Sequence, residues 1–189
     1  MTEAEWLQTS DVQQMLEAFW ELHGDDEPTL VCKLHRYFLA CCRRIWKLLP
    51  QEGSRRGVAV AERYLLGKAT EGELSEADWH VEGAAFNIDY NCEPEAIAHW
   101  VEQTRQIPEA ELRAMLHPPQ SVLEIDAHEL LLRAAYFADY AVIYPHLTPK
   151  RGVPDNYVVF LSADLLRELV GNPFRPRRSS RAGRDPPRE

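Results

Sequence analysis

Between Thr29 and Leu49 the sequence leaves a helix almost no surface for water. At 100° per residue, Lys33, Arg36, Arg43 and Lys47 fall in one narrow wedge. Leu30, Leu34, Phe38, Cys41, Ile45 and Leu48 form a first apolar face, and Cys32, His35, Leu39, Cys42 and Trp46 cover a second. A helix apolar on two faces must be covered from two sides, so the chain needs a bundle wrapped around this third helix. Pro50 and Gly53 mark its end.

Caps mark the other helices. Ser, Thr or Asp followed three residues on by Glu or Gln satisfies backbone N–H groups that a first turn leaves unpaired. Thr2 with Glu5 opens the first helix. Ser10 with Gln13 opens the second, whose Val12, Met15, Leu16, Phe19 and Trp20 recur at the helical period before Gly24 and the Asp25-Asp26-Glu27-Pro28 run. Ser54 caps a fourth helix with Val58, Ala61, Tyr64 and Leu65 inward. Thr70 with Glu73, or Ser75 with Asp78, starts a fifth that carries Trp79, Ala84, Ala85 and Phe86 and breaks near Asn91. Pro94 and Pro108 suit a first helical position, where a missing N–H costs nothing. They open a sixth helix with Ile97, Trp100 and Val101, and a short seventh that ends at His117-Pro118-Pro119.

Asp126 with Glu129 caps an eighth helix to Tyr144. Leu130, Leu131, Ala134, Phe137, Ala138 and Ala141 make it apolar around most of its circumference, so it is central too. After Pro145, Pro149 and Pro154, residues 157–161 fit either a short strand or a buried turn of helix. Ser162 caps the last helix, through Leu165, Leu166, Leu169 and Val170, and Gly171 stops it. The expected fold is all-α, a compact bundle of seven to nine short helices forming a single domain over residues 1–174. Residues 175–189 read as a disordered Arg- and Pro-rich tail.

With 45% hydrophobic and 27% charged residues, whole-chain disorder is excluded. No run approaches the roughly 20 apolar residues of a membrane span, and the first residues are acidic where a secretory signal is basic. A cytoplasmic protein without membrane contact is expected. The formal charge is −9, and residues 172–189 hold six arginines against Asp185 and Glu189, which makes the tail +4 and the remainder −13. So acidic a body repels a phosphate backbone, leaving nucleic acid only a weak contact through the tail. Cys32, Cys41, Cys42 and Cys92 lack metal-site or disulfide-scaffold spacing and read as reduced, packed thiols.

Several strings stand out: Glu5-Trp6-Leu7, Ala40-Cys41-Cys42-Arg43-Arg44-Ile45-Trp46 followed by Leu48-Leu49, Ala61-Glu62-Arg63-Tyr64, and Leu165-Leu166-Arg167 leading to Gly171-Asn172-Pro173-Phe174-Arg175-Pro176. In these the chain resembles a paralogous family of uncharacterised bacterial proteins, over residues 1–70 and 163–176. The resemblance implies kinship without a biochemical activity, so no functional residue is carried over. Where that family often has a further cysteine, Leu39 stands here, which weakens a thiol-based role for the string.

Three pairs, Glu76/His80, Glu95/His99 and Glu124/His128, place carboxylate and imidazole four residues apart, and such sets from several helices build metal sites in bundles. Ordinary surface pairing explains the same spacing. Cys32, His35 and Cys42 lie near one another in projection, but ten residues of rise, about 15 Å, prevent Cys32 and Cys42 from sharing an ion. Cys92 could join only Cys32 and His35. Arg44 borders the apolar face and needs an acidic or carbonyl partner, with Glu62 and the carbonyls near Asn172-Pro173 as candidates and a structural clamp as its role. Trp46 is expected in the core. His146 and Asp155 sit in the proline-rich connection, where an acid or base could act.

No phosphate loop, nucleophile elbow or zincin motif is present. The sequence therefore favours a non-catalytic helical module that binds an unknown protein partner through an acidic surface and needs no cofactor. The alternative is a small metal-binding protein or metal-dependent enzyme using the Glu/His pairs.

Overall fold

A computed structural model describes residues 1–23, 27–117, 125–147 and 153–175. The tail beyond Arg175, Glu124, Gly24 to Asp26, Pro118, Pro119 and Pro149, on which the sequence places expectations, lie outside these residues. Among the described residues the chain forms α1 (Glu3–Gln8), α2 (Val12–His23), α3 (Glu27–Arg44), α4 (Glu52–Leu65), α5 (Glu71–Asp89), α6 (Pro94–Arg105), α7 (Glu109–Met115), α8 (Ala127–Ile143) and α9 (Ala163–Leu169), and no strand. The all-helical expectation holds. Residues 155–160 resolve the open alternative as a 3₁₀ helix, with Val159 and Phe160 buried.

Most caps are where the sequence puts them. Thr2 and Thr70 form full capping boxes with Glu5 and Glu73, Asp126 accepts from the His128 and Glu129 amides, and Ser162 accepts from Leu165. Two differ. Asp11 rather than Ser10 caps α2, its Oδ1 accepting the Gln14 amide at 3.1 Å. Helix α4 begins at Glu52 rather than beyond Ser54, whose side chain is buried inside the bundle. Gly53 accordingly lies within α4 instead of ending α3.

Helix α3 stops at Arg44, and a 3₁₀ turn at Trp46–Leu48 carries the chain on, so that Leu48 and Leu49 are buried from a new direction. Its neighbours include α4, α8 and α9. Helix α8 joins two cores. Its Leu130, Ala134, Phe137, Ala138, Ala141 and Val142 enter the main cluster around α3, while Leu131 and Ala135 meet Ala85, Ile88, Ile97 and Val101 of α5 and α6 in a smaller one.

The first helix and the segment from α9 onward meet in space. Arg167 donates to the Trp6 carbonyl from Nε (3.1 Å) and Nη2 (3.0 Å), and Trp6 is fully buried. Glu3 accepts from Asn172 Nδ2 at 2.8 Å and Arg175 Nε at 2.9 Å, so Arg175 is tied to the first helix although the sequence assigned it to the tail. These bonds hold the Glu3 carboxyl below the usual range, chiefly through Arg175.

Arg44 is a clamp, but with other partners than expected. Its Nε and Nη2 donate to the Ala114 carbonyl at 3.0 and 2.7 Å, and Nη1 to the Leu161 carbonyl at 3.3 Å, tying α7 to the start of α9. Glu62 pairs with Arg43 instead, at 2.8 and 2.5 Å. Arg44→Met should lose about 2 kcal/mol in urea unfolding, because two carbonyls forfeit a charged donor. Arg44→Lys should recover little, since an ammonium lacks the fork that spans both. Full stability in either variant would contradict the clamp.

Candidate functional site

Helix α5 carries two opposed apolar faces. Leu74, Ala77, Val81, Ala85 and Ile88 face inward and are buried. On the far side Trp79 is 72% exposed, Phe86 41% and Tyr90 73%. Spacings of seven and four residues bring these three within about 20° of one line, running roughly 16 Å along the helix. Helices α4 and α8 cover the opposite, alanine-bearing side of α5. Isolated exposed apolar residues are ordinary, but an aligned set is not.

The aromatic line is held in place. Phe86 meets Tyr90 edge-on at 5.9 Å between ring centres and Tyr136 of α8 at 6.2 Å. Tyr136 in turn donates its hydroxyl to Asp89 Oδ2 at 2.6 Å. Burial, with the Asp89 carboxylate, pushes the Tyr136 phenol well up, so it stays a donor at any physiological pH. Carboxylates flank the line: Glu82 and Asp89 on one side, Glu76 on the other, and α5 contains no Lys or Arg. Gly83 lies between the rings with open space at the position of a Cβ.

Among the described residues the Glu/His pairs do not converge. Glu76 and His80 stand 3.9 Å apart on the exposed side of α5, His99 bonds Gln103 at 3.0 Å, and Glu124 is outside the described residues. Among the described residues no group of three or more His, Cys, Asp or Glu is placed to hold a metal ion. Cys32 and Cys92 are exposed while Cys41 and Cys42 are buried. Burial pushes the Cys41 thiol up to about 12 and holds the Cys42 thiol well above its ordinary value, which removes thiolate chemistry from the Ala40–Leu49 string. His146 and Asp155 have separate partners: His146 meets Glu71 at 3.2 Å, and Asp155 accepts from Gln13 at 3.2 Å.

Trp46 is only partly buried, because the helix ends before it. The Arg43 and Arg55 guanidinium carbons lie over its ring at 4.1 and 5.4 Å, and Arg55 also donates to its carbonyl at 3.2 Å. It is a packing element shared by α3 and α4 rather than a core residue. Among the described residues no helix is long and apolar enough to cross a membrane.

Comparison with protein-family models, with curated proteins and with solved structures yields no match. The α5 face could have been found in the sequence, since Trp79, Phe86 and Tyr90 already stand at helical spacing. What concealed it is that α5 has apolar residues on both sides, and periodicity alone does not say which side is inward.

Proposed function

We propose that this chain is a non-catalytic interaction module that docks a basic protein partner on the outer face of α5. The observation that carries this reading is the exposed line of Trp79, Phe86 and Tyr90 between carboxylates. Aromatic side chains are the commonest anchors of protein interfaces, offering large contact area at small entropic cost. Carboxylates around them favour a Lys- or Arg-bearing partner and speed its encounter. The rest of the fold acts as a rigid support, in which the Ala40–Leu49 string packs and clamps, so kinship through that string is proposed as kinship of scaffold.

A photo-crosslinking residue at Gly83, where a side chain meets open space, should capture a discrete partner in cells, with the crosslinked peptide rich in Lys or Arg. The Trp79→Ala/Tyr90→Ala double variant should abolish capture while shifting stability by less than about 0.5 kcal/mol per site, as exposed substitutions do. Capture no greater than from the same group at Glu102, on the exposed side of α6, would reject the reading.

A further inference from the structure

A second feature lies where the C-terminal half of α8 meets the 3₁₀ segments at 144–146 and 155–160. Asp139, Tyr140, Tyr144, His146 and Tyr157 line a cleft of about 470 Å³, within the range of small-ligand sites. The Tyr140 ring stands 5.8 Å from Tyr144 and 5.4 Å from Tyr157, inclined at 60° and 48°, so ring faces turn toward more than one direction. Asp139 is one of the lining residues, and its buried Oδ1 has no hydrogen-bond partner. Among the described residues lining the cleft there is no Lys or Arg.

We propose that this cleft binds a small organic ammonium cation, held by the Tyr140, Tyr144 and Tyr157 rings with Asp139 as its counter-ion. Ring faces are negative and attract alkylated ammonium groups, most strongly where water is excluded. Asp139 lines the cleft and offers the charge a carboxylate that no other described residue pairs. A metal ion would lack its set of hard ligands, and an anion would meet Asp139 with Asp78 and Glu82 behind it. Burial and those two acids push the Asp139 carboxyl up to about 7, so in the empty cleft it is half protonated near neutrality. A cation would favour its ionised form, and binding would release a proton. Of the other groups facing it, Tyr157 is itself pushed up by burial and Asp139, and His146 pairs with Glu71.

The test is calorimetric titration of the full chain with choline, against its uncharged carbon isostere 3,3-dimethylbutan-1-ol and against trimethyllysine in a short peptide. Choline should bind at least tenfold more tightly than the isostere, and its affinity should rise about tenfold from pH 6 to pH 8 as Asp139 ionises. Asp139→Asn should remove both the preference and the pH dependence while leaving the thermal midpoint equal or higher. Tyr157→Leu should weaken choline at least fivefold. If the peptide outcompetes choline, the ammonium belongs to a modified side chain; if choline does, it is a free amine. Equal binding of choline and isostere, no heat at 10 mM choline, or a pH dependence that persists in Asp139→Asn would overturn the proposal. Because Trp79 and Tyr90 are not used, their double variant should bind choline normally, so this site and the α5 docking face stand or fall separately.

Discussion

Gly57→Ala is expected to destabilise the fold by about 3 kcal/mol, at the upper end of what overpacking a core costs. A Cβ on Gly57 would sit 2.0 Å from Val81 Cγ2, and one on Gly53 would sit 2.7 Å from the His80 carbonyl oxygen and 3.3 Å from Ala84 Cβ. Val81 is fully buried and β-branched, so it has essentially one rotamer in a helix and cannot turn away. The His80 oxygen is backbone, so relief at Gly53 requires α4 and α5 to part. Alanine in a helix otherwise gains up to about 1 kcal/mol over glycine, which the clash must exceed. Gly83 supplies the control, because nothing lies within 4 Å of its Cβ position. Gly83→Ala, in the partner helix, should stabilise by a few tenths to about 1 kcal/mol. Opposite signs for one chemical change, read from urea unfolding with unchanged m-values, are the expected result; a stabilising Gly57→Ala would mean that the two helices do not approach as described.

That close contact also marks the limit of what was legible. Helix number, most caps and the central place of α3 and α8 were readable, because each rests on local chemistry: a Thr70–Glu73 box or the apolar circumference of α8 needs no knowledge of neighbours. Gly53 was misread as a stop because glycine breaks helices on average, yet its spacing of four from Gly57 puts both on one face and was the available clue to close helix packing. Trp46 was misplaced for a different reason. The projection assumed a continuous helix to Leu49, whereas the 3₁₀ turn at Trp46–Leu48 rotates its ring outward to Arg43 and Arg55. Arg44 was recognised as a clamp from its border position, but its carbonyl partners on Ala114 and Leu161 are more than sixty residues away in sequence and carry no pattern. The candidate sites were less legible still: Tyr140 and Tyr144 look like ordinary core residues until Tyr157 and an unpartnered Asp139 oxygen are brought beside them.

Two buried groups should give the protein opposed pH responses that a single profile conceals. His35 is fully buried, with no partner for either ring nitrogen. Burial, with nearby His146, lowers its pKa from 6.5 to about 4. Between those values the unfolded chain binds a proton that the folded one does not, so stability from this group is complete above about pH 6.5 and falls toward pH 4. The loss amounts to about 3 kcal/mol at 1.36 kcal/mol per unit. Asp139 acts in reverse. With its carboxyl raised from 3.8 to about 7, the folded chain holds the extra proton, so stability falls as pH rises through that window. Because part of the side chain reaches solvent, about 2 kcal/mol is expected rather than the full conversion. Asp78, raised by burial and Glu82, adds in the same sense. Glu3, Glu5, Glu73 and Asp126, held low by Arg175 or by cap bonds, add a rise with pH common to every variant, so differences between proteins are the quantity to read. Relative to wild type, Asp139→Asn should gain about 2 kcal/mol at pH 8 and little at pH 4. His35→Leu, which replaces an unpaired polar ring by an apolar side chain, should gain about 3 kcal/mol more at pH 4 than at pH 7. Denaturant unfolding of the three proteins at pH 4, 5.5, 7 and 8 measures this directly. Parallel profiles would show that neither group titrates abnormally in the folded protein, and would withdraw the pH dependence expected of ammonium binding.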